Sequence, residues 1–322
     1  MSEELVERIK NANNIFIFTH VNPDGDTLGS AIAMKLFIKE FLNKPSRIVH
    51  TSTLPKVYSF VPEYDTIEDI STVSKDEKCD LAIAVDIASA DRLAEASDLF
   101  KNADFRINID HHRTNNGYGD LNIIDGGACS VGLMLCKMFN ELGYKYSKSV
   151  AIALYTSIMT DTGAFKYENT TPECLRAAAQ IVEAGAVPNE IYRACYESKP
   201  VNMLKFQLHV LNKAEFFHDG KIAITTVEKE DMAKFNATDD FTEGIVEVLR
   251  TANIVEVSAI LKETKDGFTK VSLRSKTVDL VPIIADFNGG GHTFAAGCTI
   301  KKPVSIAKDK LLERIENAIE KR

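Results

Sequence analysis

Several broad protein classes are excluded by what this chain lacks. No apolar run is long enough to span a bilayer. Six cysteines are scattered (Cys79, Cys129, Cys136, Cys174, Cys195 and Cys298), with no Cys-x-x-Cys pair. That argues against a zinc–thiolate cluster or a disulfide framework, and for buried free thiols in a reducing cytoplasm. No stripe of Lys and Arg marks a long nucleic-acid partner. Internal repeats and low-complexity segments are absent too. The start, Met1-Ser-Glu-Glu-Leu-Val-Glu-Arg, reads as a charged amphipathic helix and not as a signal peptide.

The charge is acidic instead, −8 in total, and unevenly spread. From Lys213 onward there are 17 basic and 18 acidic residues, which leaves 21 basic and 28 acidic before it. A small anionic ligand held by a few local groups fits this balance better than a polyanion. A length of 322 residues favours two domains, and 45% hydrophobic content supports ordinary cores.

Residues 1–185 alternate between strand and helix signals, the pattern of an α/β domain: a parallel sheet with helices on both faces. Strands are expected at Asn14–Thr19, Arg47–Thr51, Leu81–Asp86 and Arg106–Asp110. Helices are expected at Thr27–Leu42, Ser130–Leu142, Ser147–Thr162 and Thr171–Ala184. Residues 186–212, with Pro188 and Pro200 and a helical piece between them, read as a linker. Residues 213–322 read as a smaller α+β domain. It has hairpins around His218–Lys221 and Lys265–Gly267, a helix over Asp239–Thr251 and a last helix over Ser305–Lys321.

Three of the apolar runs stop at metal-ligand side chains. Ile15–Thr19 ends at His20-Val-Asn-Pro-Asp24-Gly-Asp26. Leu81–Val85 ends at Asp86. Ile107–Ile109 ends at Asp110-His111-His112. Ligands of open parallel sheets bind beyond the carboxyl ends of the strands. Carboxylates gathered there repel one another unless a cation neutralises them. A bland alternative for Asp26 is a cap on the helix beginning at Thr27. Adjacent histidines after a strand point to different sides, so one can bind metal while the other faces substrate, with Asp110 orienting an imidazole. Asp161 ends an apolar helix, where an acid opposes the helix dipole unless a metal compensates it. Asp91 and Arg92 read as a surface pair of little consequence. His50, His209 and His218 have no partner visible in the sequence. In the second domain, the glycine-rich loop Gly289-Gly290-Gly291-His292 can bring backbone amides to an anion, and Arg274 can fork onto a phosphate.

Taken together, His20-x-x-x-Asp24-x-Asp26, Asp86, Asp110-His111-His112 and Asp161 resemble the four motifs of the DHH phosphoesterases. Gly289–His292 with Ala295-Ala296-Gly297 resembles the associated DHHA1 domain. The resemblance covers nearly the whole chain, with a DHH domain over 1–185 and a DHHA1 domain over 213–322. The layout is similar to the bacterial bifunctional oligoribonuclease (nanoRNase) and pAp phosphatase type. It implies two Mn²⁺ ions, with Mg²⁺ an alternative: one on His20, Asp24 and Asp86, the other on Asp26, Asp86, His111 and Asp161. It also implies that His112, oriented by Asp110, acts on the reacting phosphate, and that Arg274, Gly289, Gly290, Gly291 and His292 bind substrate. Short oligoribonucleotides and 3′-phosphoadenosine 5′-phosphate (pAp) are the expected substrates, with no long nucleic acid and no membrane as partners. A homodimer is compatible with the type. Rival readings are a cyclic di-AMP/pApA phosphodiesterase and a catalytically silent nucleotide sensor.

Overall fold

The computed structural model describes residues 2–74 and 76–320. The chain divides into two units, Met1–Ser198 and Lys199–Arg322. The first holds α1 (Ser2–Asn11), β1 (Ile15–Phe18), α2 (Gly25–Leu42), β2 (Arg47–His50), β3 (Glu68–Asp69), β4 (Leu81–Val85) and α3 (Ser97–Lys101). It continues with β5 (Phe105–Asp110), β6 (Leu121–Ile124), α4 (Val131–Glu141), α5 (Lys148–Asp161), α6 (Pro172–Glu183) and α7 (Pro188–Tyr196). The six strands form one parallel sheet in the order β3-β2-β1-β4-β5-β6.

That order reverses between β1 and β4, which opens a crevice beyond their carboxyl ends. The strands are apolar on both sides because both sides are covered. Ile15 and Ile17 pack with Leu28, Ile32 and Leu154 of the helices on one face. Phe16 and Phe18 pack with Leu93 and Phe100 on the other, and Phe18 meets Phe100 edge-on at 5.4 Å. Full burial of each such side chain stabilises the fold by about 1.5–3 kcal/mol.

Helices α2 and α5 are buried nearly all round and lie unusually close. Gly29 makes this possible: a Cβ there would stand 2.5 Å from the Ala153 carbonyl oxygen. At Gly132, the second residue of α4, a Cβ would stand 2.0 Å from Ser157 Oγ. These glycines bring the first turns of α2 and α4 against the last turns of α5.

The second unit contains α8 (Val201–Asn212), β7 (Glu215–Phe217), β8 (Ile222–Val227), α9 (Lys229–Lys234), α10 (Ile245–Arg250), β9 (Val257–Glu263) and β10 (Thr269–Ser275). Then come α11 (Val281–Ala285), β11 (Gly290–His292), β12 (Ala295–Ile300) and α12 (Val304–Glu320). Its sheet runs β11-β12-β10-β9-β8-β7, antiparallel except between β8 and β9. Leu311 and Ile315 of α12 cover one face, and Phe206 and Val210 of α8 belong to the core of the other.

Two local expectations are corrected. The stretch read as a helix over Asp239–Thr251 is a 3-10 turn at Asp239–Thr242 followed by α10, because Gly244 takes a positive φ of 80° between them. The glycine triplet is not a free loop. Gly290–His292 pair with β12 as an edge strand, and Gly291 packs against the backbone of Ala295 and Ala296. The helical piece expected between Pro188 and Pro200 is α7 (Pro188–Tyr196), and α8 follows it in the second unit. Lys321, where the last helix was expected to end, lies outside the described residues. Among the described residues, no helix is long and apolar enough to cross a membrane.

Candidate metal centre

Four segments of the first unit deliver the cluster. Beyond β1, Asp24 caps α2: its Oδ1 accepts from the backbone N–H of Asp26 and of Thr27, each at 3.1 Å. The cap is therefore Asp24, and Asp26 falls in the first helical turn, pointing inward. The bland reading of Asp26 as the cap is not realised. Asp24 is half exposed, with Oδ2 outside the cap bonds, whereas Asp26 is 1% exposed. Oδ1 of Asp26 accepts from Ser30 Oγ at 2.9 Å and Ser157 Oγ at 2.5 Å, and Oδ2 accepts from Val131 N–H at 2.9 Å. The last bond comes from the N-terminus of α4, whose dipole favours an anion there.

Asp86 follows β4 with φ +58°, a left-handed conformation that aspartate tolerates better than most residues. Its N–H donates to Ile109 O of β5, which fixes it at the sheet edge. Oδ2 accepts from Thr27 Oγ1 at 2.6 Å. Oδ1 is buried and has no hydrogen-bond partner among the described residues. His111 Nε2 stands 3.5 Å from that oxygen and His112 Nδ1 3.6 Å from it.

Beyond β5, the two histidines diverge. His111 Nδ1 can donate to Ala128 O at 3.2 Å, which leaves Nε2 facing Asp26 at 3.6 Å, Asp86 at 3.5 Å and Asp161 at 3.7 Å. His112 donates from Nδ1 to Asp110 Oδ1 at 2.8 Å. Asp110 is fully buried, and its other oxygen accepts from Asn115 Nδ2 at 2.7 Å. Asn115 also reaches Asn108 Oδ1, so a buried amide network under β5 sets the carboxylate's orientation. His20 Nδ1 lies 2.8 Å from Val21 O and 2.9 Å from Arg92 Nη2. One ring nitrogen cannot both donate to the first and accept from the second. With Nδ1–H on Val21 O, Nε2 faces Asp86 at 3.6 Å and Asp24 at 4.0 Å. Arg92 thus contacts His20, where the sequence pointed to a surface pair with Asp91.

Electrostatics show what the cluster demands. Burial, together with repulsion from Asp86 and Asp161, holds the Asp26 carboxyl well above the usual range. Burial also raises Asp161, helped by Asp86 and Asp24, to about 6. Burial by itself would lower His111, but Asp86, Asp26 and Asp161 overcome it and push it up to about 10. Burial would raise Asp86, but the facing imidazoles of His111 and His20 and the Thr27 hydroxyl outweigh it and hold Asp86 low. Without a metal, a proton on His111 plays the cation's part.

The donors fit divalent ions. His20, Asp24 and Asp86 offer one set of atoms within 4.8 Å of one another, and Asp26, His111 and Asp161 offer a second. The orphaned Asp86 Oδ1 supplies a lone pair that nothing else uses. The set is oxygen and imidazole without thiolate, which suits Mn²⁺ or Mg²⁺ better than a zinc–sulfur site. Arg274 and the Gly289–His292 strand belong to the second unit. There Arg274 Nε pairs with Glu247 at 2.9 Å, and its Nη1 donates to Leu273 O.

Sequence reasoning missed Ser30, Ser157, Thr27, Asn115 and Arg92. Two of these carry a readable signal. Ser30 lies four residues after Asp26, and Ser157 four before Asp161, so each shares a helix face with its carboxylate. Polar pairs of that spacing stand out on helices as apolar as α2 and α5.

A doubly covered parallel sheet with a carboxylate–histidine cluster at its switch point defines a metal-site α/β protein. Residues 14–158 match the model of the DHH family, N-terminal domain, and residues 219–321 match the DHHA1 domain. The chain is 32% identical to the bifunctional oligoribonuclease and PAP phosphatase NrnA of Thermus thermophilus, over 95% of this chain and 89% of that protein. It is 26% identical to the Bacillus subtilis protein of the same name, over 93% of each. The fold superposes on an exopolyphosphatase-related protein from Bacteroides fragilis with a TM-score of 0.90, 24% identity and coverage of 99% and 95%. The chain belongs to the DHH family.

Proposed function

We propose that the protein is a two-metal phosphoesterase that hydrolyses short RNA oligonucleotides to mononucleotides and pAp to AMP. The observation that carries the reading is the convergence of Asp26, Asp86 and Asp161 on His111 Nε2, beside a buried Asp86 oxygen without a partner. Relatives named for both activities match along nearly the full chain and support the substrate class.

In this reading His20, Asp24 and Asp86 hold one ion, and Asp26, Asp86, His111 and Asp161 hold the other. Asp86 serves both. Two bound divalent ions supply an activated water and neutralise phosphate charge. The chain's own groups do the rest. Ser30, Ser157 and the α4 N-terminus hold Asp26 in place, and Ala128 O fixes the His111 tautomer. His112 is kept protonated further up the pH scale by its bond to Asp110, against the opposing effect of burial. With Nδ1–H held on Asp110, its second ring nitrogen, when protonated, can donate to a phosphate oxygen as negative charge grows there. Arg274 and Gly289–His292 are assigned to the rest of the nucleotide, which requires Arg274 to exchange its Glu247 partner for phosphate. Manganese is the proposed metal, on the chemistry of the donors. The cytoplasm is the proposed compartment, on six free cysteines.

Turnover of pAp, a diribonucleotide, cyclic di-AMP and pApA, side by side with Mn²⁺, tests the reading. Release of AMP from pAp and of mononucleotides from the dinucleotide is expected. Preferential turnover of cyclic di-AMP would replace it with the rival phosphodiesterase, and no turnover of any substrate would leave a silent sensor.

A further inference from the structure

The backbone just after Asp161 turns the wrong way for L-amino acids. Gly163, Ala164 and Phe165 have successive positive φ values of 57°, 59° and 64°. Only glycine takes that conformation freely, and runs of it are rare. The turn is held by Ala164 N–H on Met159 O at 2.7 Å, Phe165 N–H on Thr162 Oγ1 at 3.1 Å and Tyr167 N–H on Thr162 O at 3.0 Å. Phe165 anchors it to the core, 5.8 Å from the Tyr155 ring. At the far end Asn169 Nδ2 donates to Asp161 O at 3.1 Å and to Cys129 O at 3.3 Å. The loop therefore leaves from Asp161 and is tied back to it. Strain of this kind persists where the surroundings over-determine it, and it concentrates at functional sites.

The consequence of the turn is the placement of Tyr167. Its ring lies over the Gly163 backbone, so that a Cβ on Gly163 would stand 2.4 Å from Tyr167 Cε2 and Cζ. Yet the tyrosine is 46% exposed, with Lys166 Nζ 5.0 Å from the ring centroid. It rests on Gly163 and stays nearly half exposed beneath Lys166, on a loop tied to the main chain of Asp161, whose carboxylate belongs to the cluster.

We propose that Tyr167 is a stacking platform for the nucleobase of the nucleotide whose phosphate is hydrolysed. The inference rests on the function proposed above and adds how the base is held. Stacking on an aromatic face tolerates any base, which suits a substrate class defined by length and not by sequence. It favours purines by area.

The test is calorimetric binding of AMP and of ribose 5-phosphate to Mn²⁺-loaded protein, with bound metal measured for each variant. Tyr167→Ala should weaken AMP binding by roughly five-fold or more and leave ribose 5-phosphate unchanged, while Tyr167→Phe, which keeps the π-face, should bind AMP like the wild type. Equal AMP affinity in Tyr167→Ala and wild type would overturn the platform. So would equal loss for both ligands, since the ring would then act by positioning Asp161. Binding is read apart from turnover. A wild type showing the base-dependent binding yet hydrolysing neither pAp nor a dinucleotide would contradict the proposed function and leave the platform standing.

Discussion

Ser157 Oγ donates to Asp26 Oδ1 at 2.5 Å, although the two residues are 131 positions apart. This bond ties the end of α5 to the start of α2. Asp26 and Asp161 are held in one cluster by it. Ser157 also accepts from Gly132 N–H at 3.0 Å, so it joins three helices at one point.

Ser157→Ala should therefore destabilise the fold and loosen the cluster. Leaving a buried polar group without its partner costs about 1–3 kcal/mol. Urea unfolding of the metal-free protein should show a loss in that range. Calorimetry should show weaker binding of the ion assigned to Asp26 and Asp161. An unchanged unfolding midpoint would mean that Asp26 is held well enough by Ser30 and the α4 N-terminus.

His111→Ala and His112→Ala should separate metal binding from action on substrate. His111 Nε2 faces three carboxylates, whereas His112 is 40% exposed and turned toward Asp110. Loss of His111 should lower bound Mn²⁺, with partial rescue by excess metal. Loss of His112 should leave the metal content intact and lower kcat. Equal metal loss in the two variants would refute the division.

Much of this arrangement was legible in the sequence, for a definite reason. A buried parallel strand is an uninterrupted apolar run, so His20, Asp86 and Asp110 stand out as the residues that end β1, β4 and β5. The glycines were harder to read. Gly29 and Gly132 look like ordinary helix residues until a second helix is placed against them. Strand β6, Leu121–Ile124, passes unnoticed because only Ile123 of its four residues is buried. The His209–Asp231 contact, 2.8 Å, joins residues with no shared pattern in the chain. Nor does anything in Gly163-Ala164-Phe165 announce a left-handed turn beyond its first residue.

The second unit offers a stability test that is independent of metal. Asp231 is buried at 7% exposure. Burial would raise its carboxyl, but the Glu228 N–H, Lys213 and His209 outweigh that and hold it below the usual range. A depressed carboxylate contributes stability that is present above its unfolded value, near 4, and is lost as the pH falls through its folded value. The wild type should thus lead Asp231→Asn in urea resistance at pH 7, and the gap should shrink toward pH 3. A gap that stays constant with pH would show that the amide's packing, and not the charge, sets the difference.

Asp86 is the residue on which the two-ion account turns. Asp86→Asn keeps the shape and the left-handed backbone, since asparagine also tolerates φ +58°. It removes the charge shared by both proposed ion sites. The decisive measurement is Mn²⁺ bound per chain by calorimetry, wild type against Asp86→Asn. The account predicts about two ions on the wild type and loss of tight binding at both sites in the variant, with a folded chain. A variant that binds both ions as tightly as the wild type, or a wild type that binds none, would contradict it.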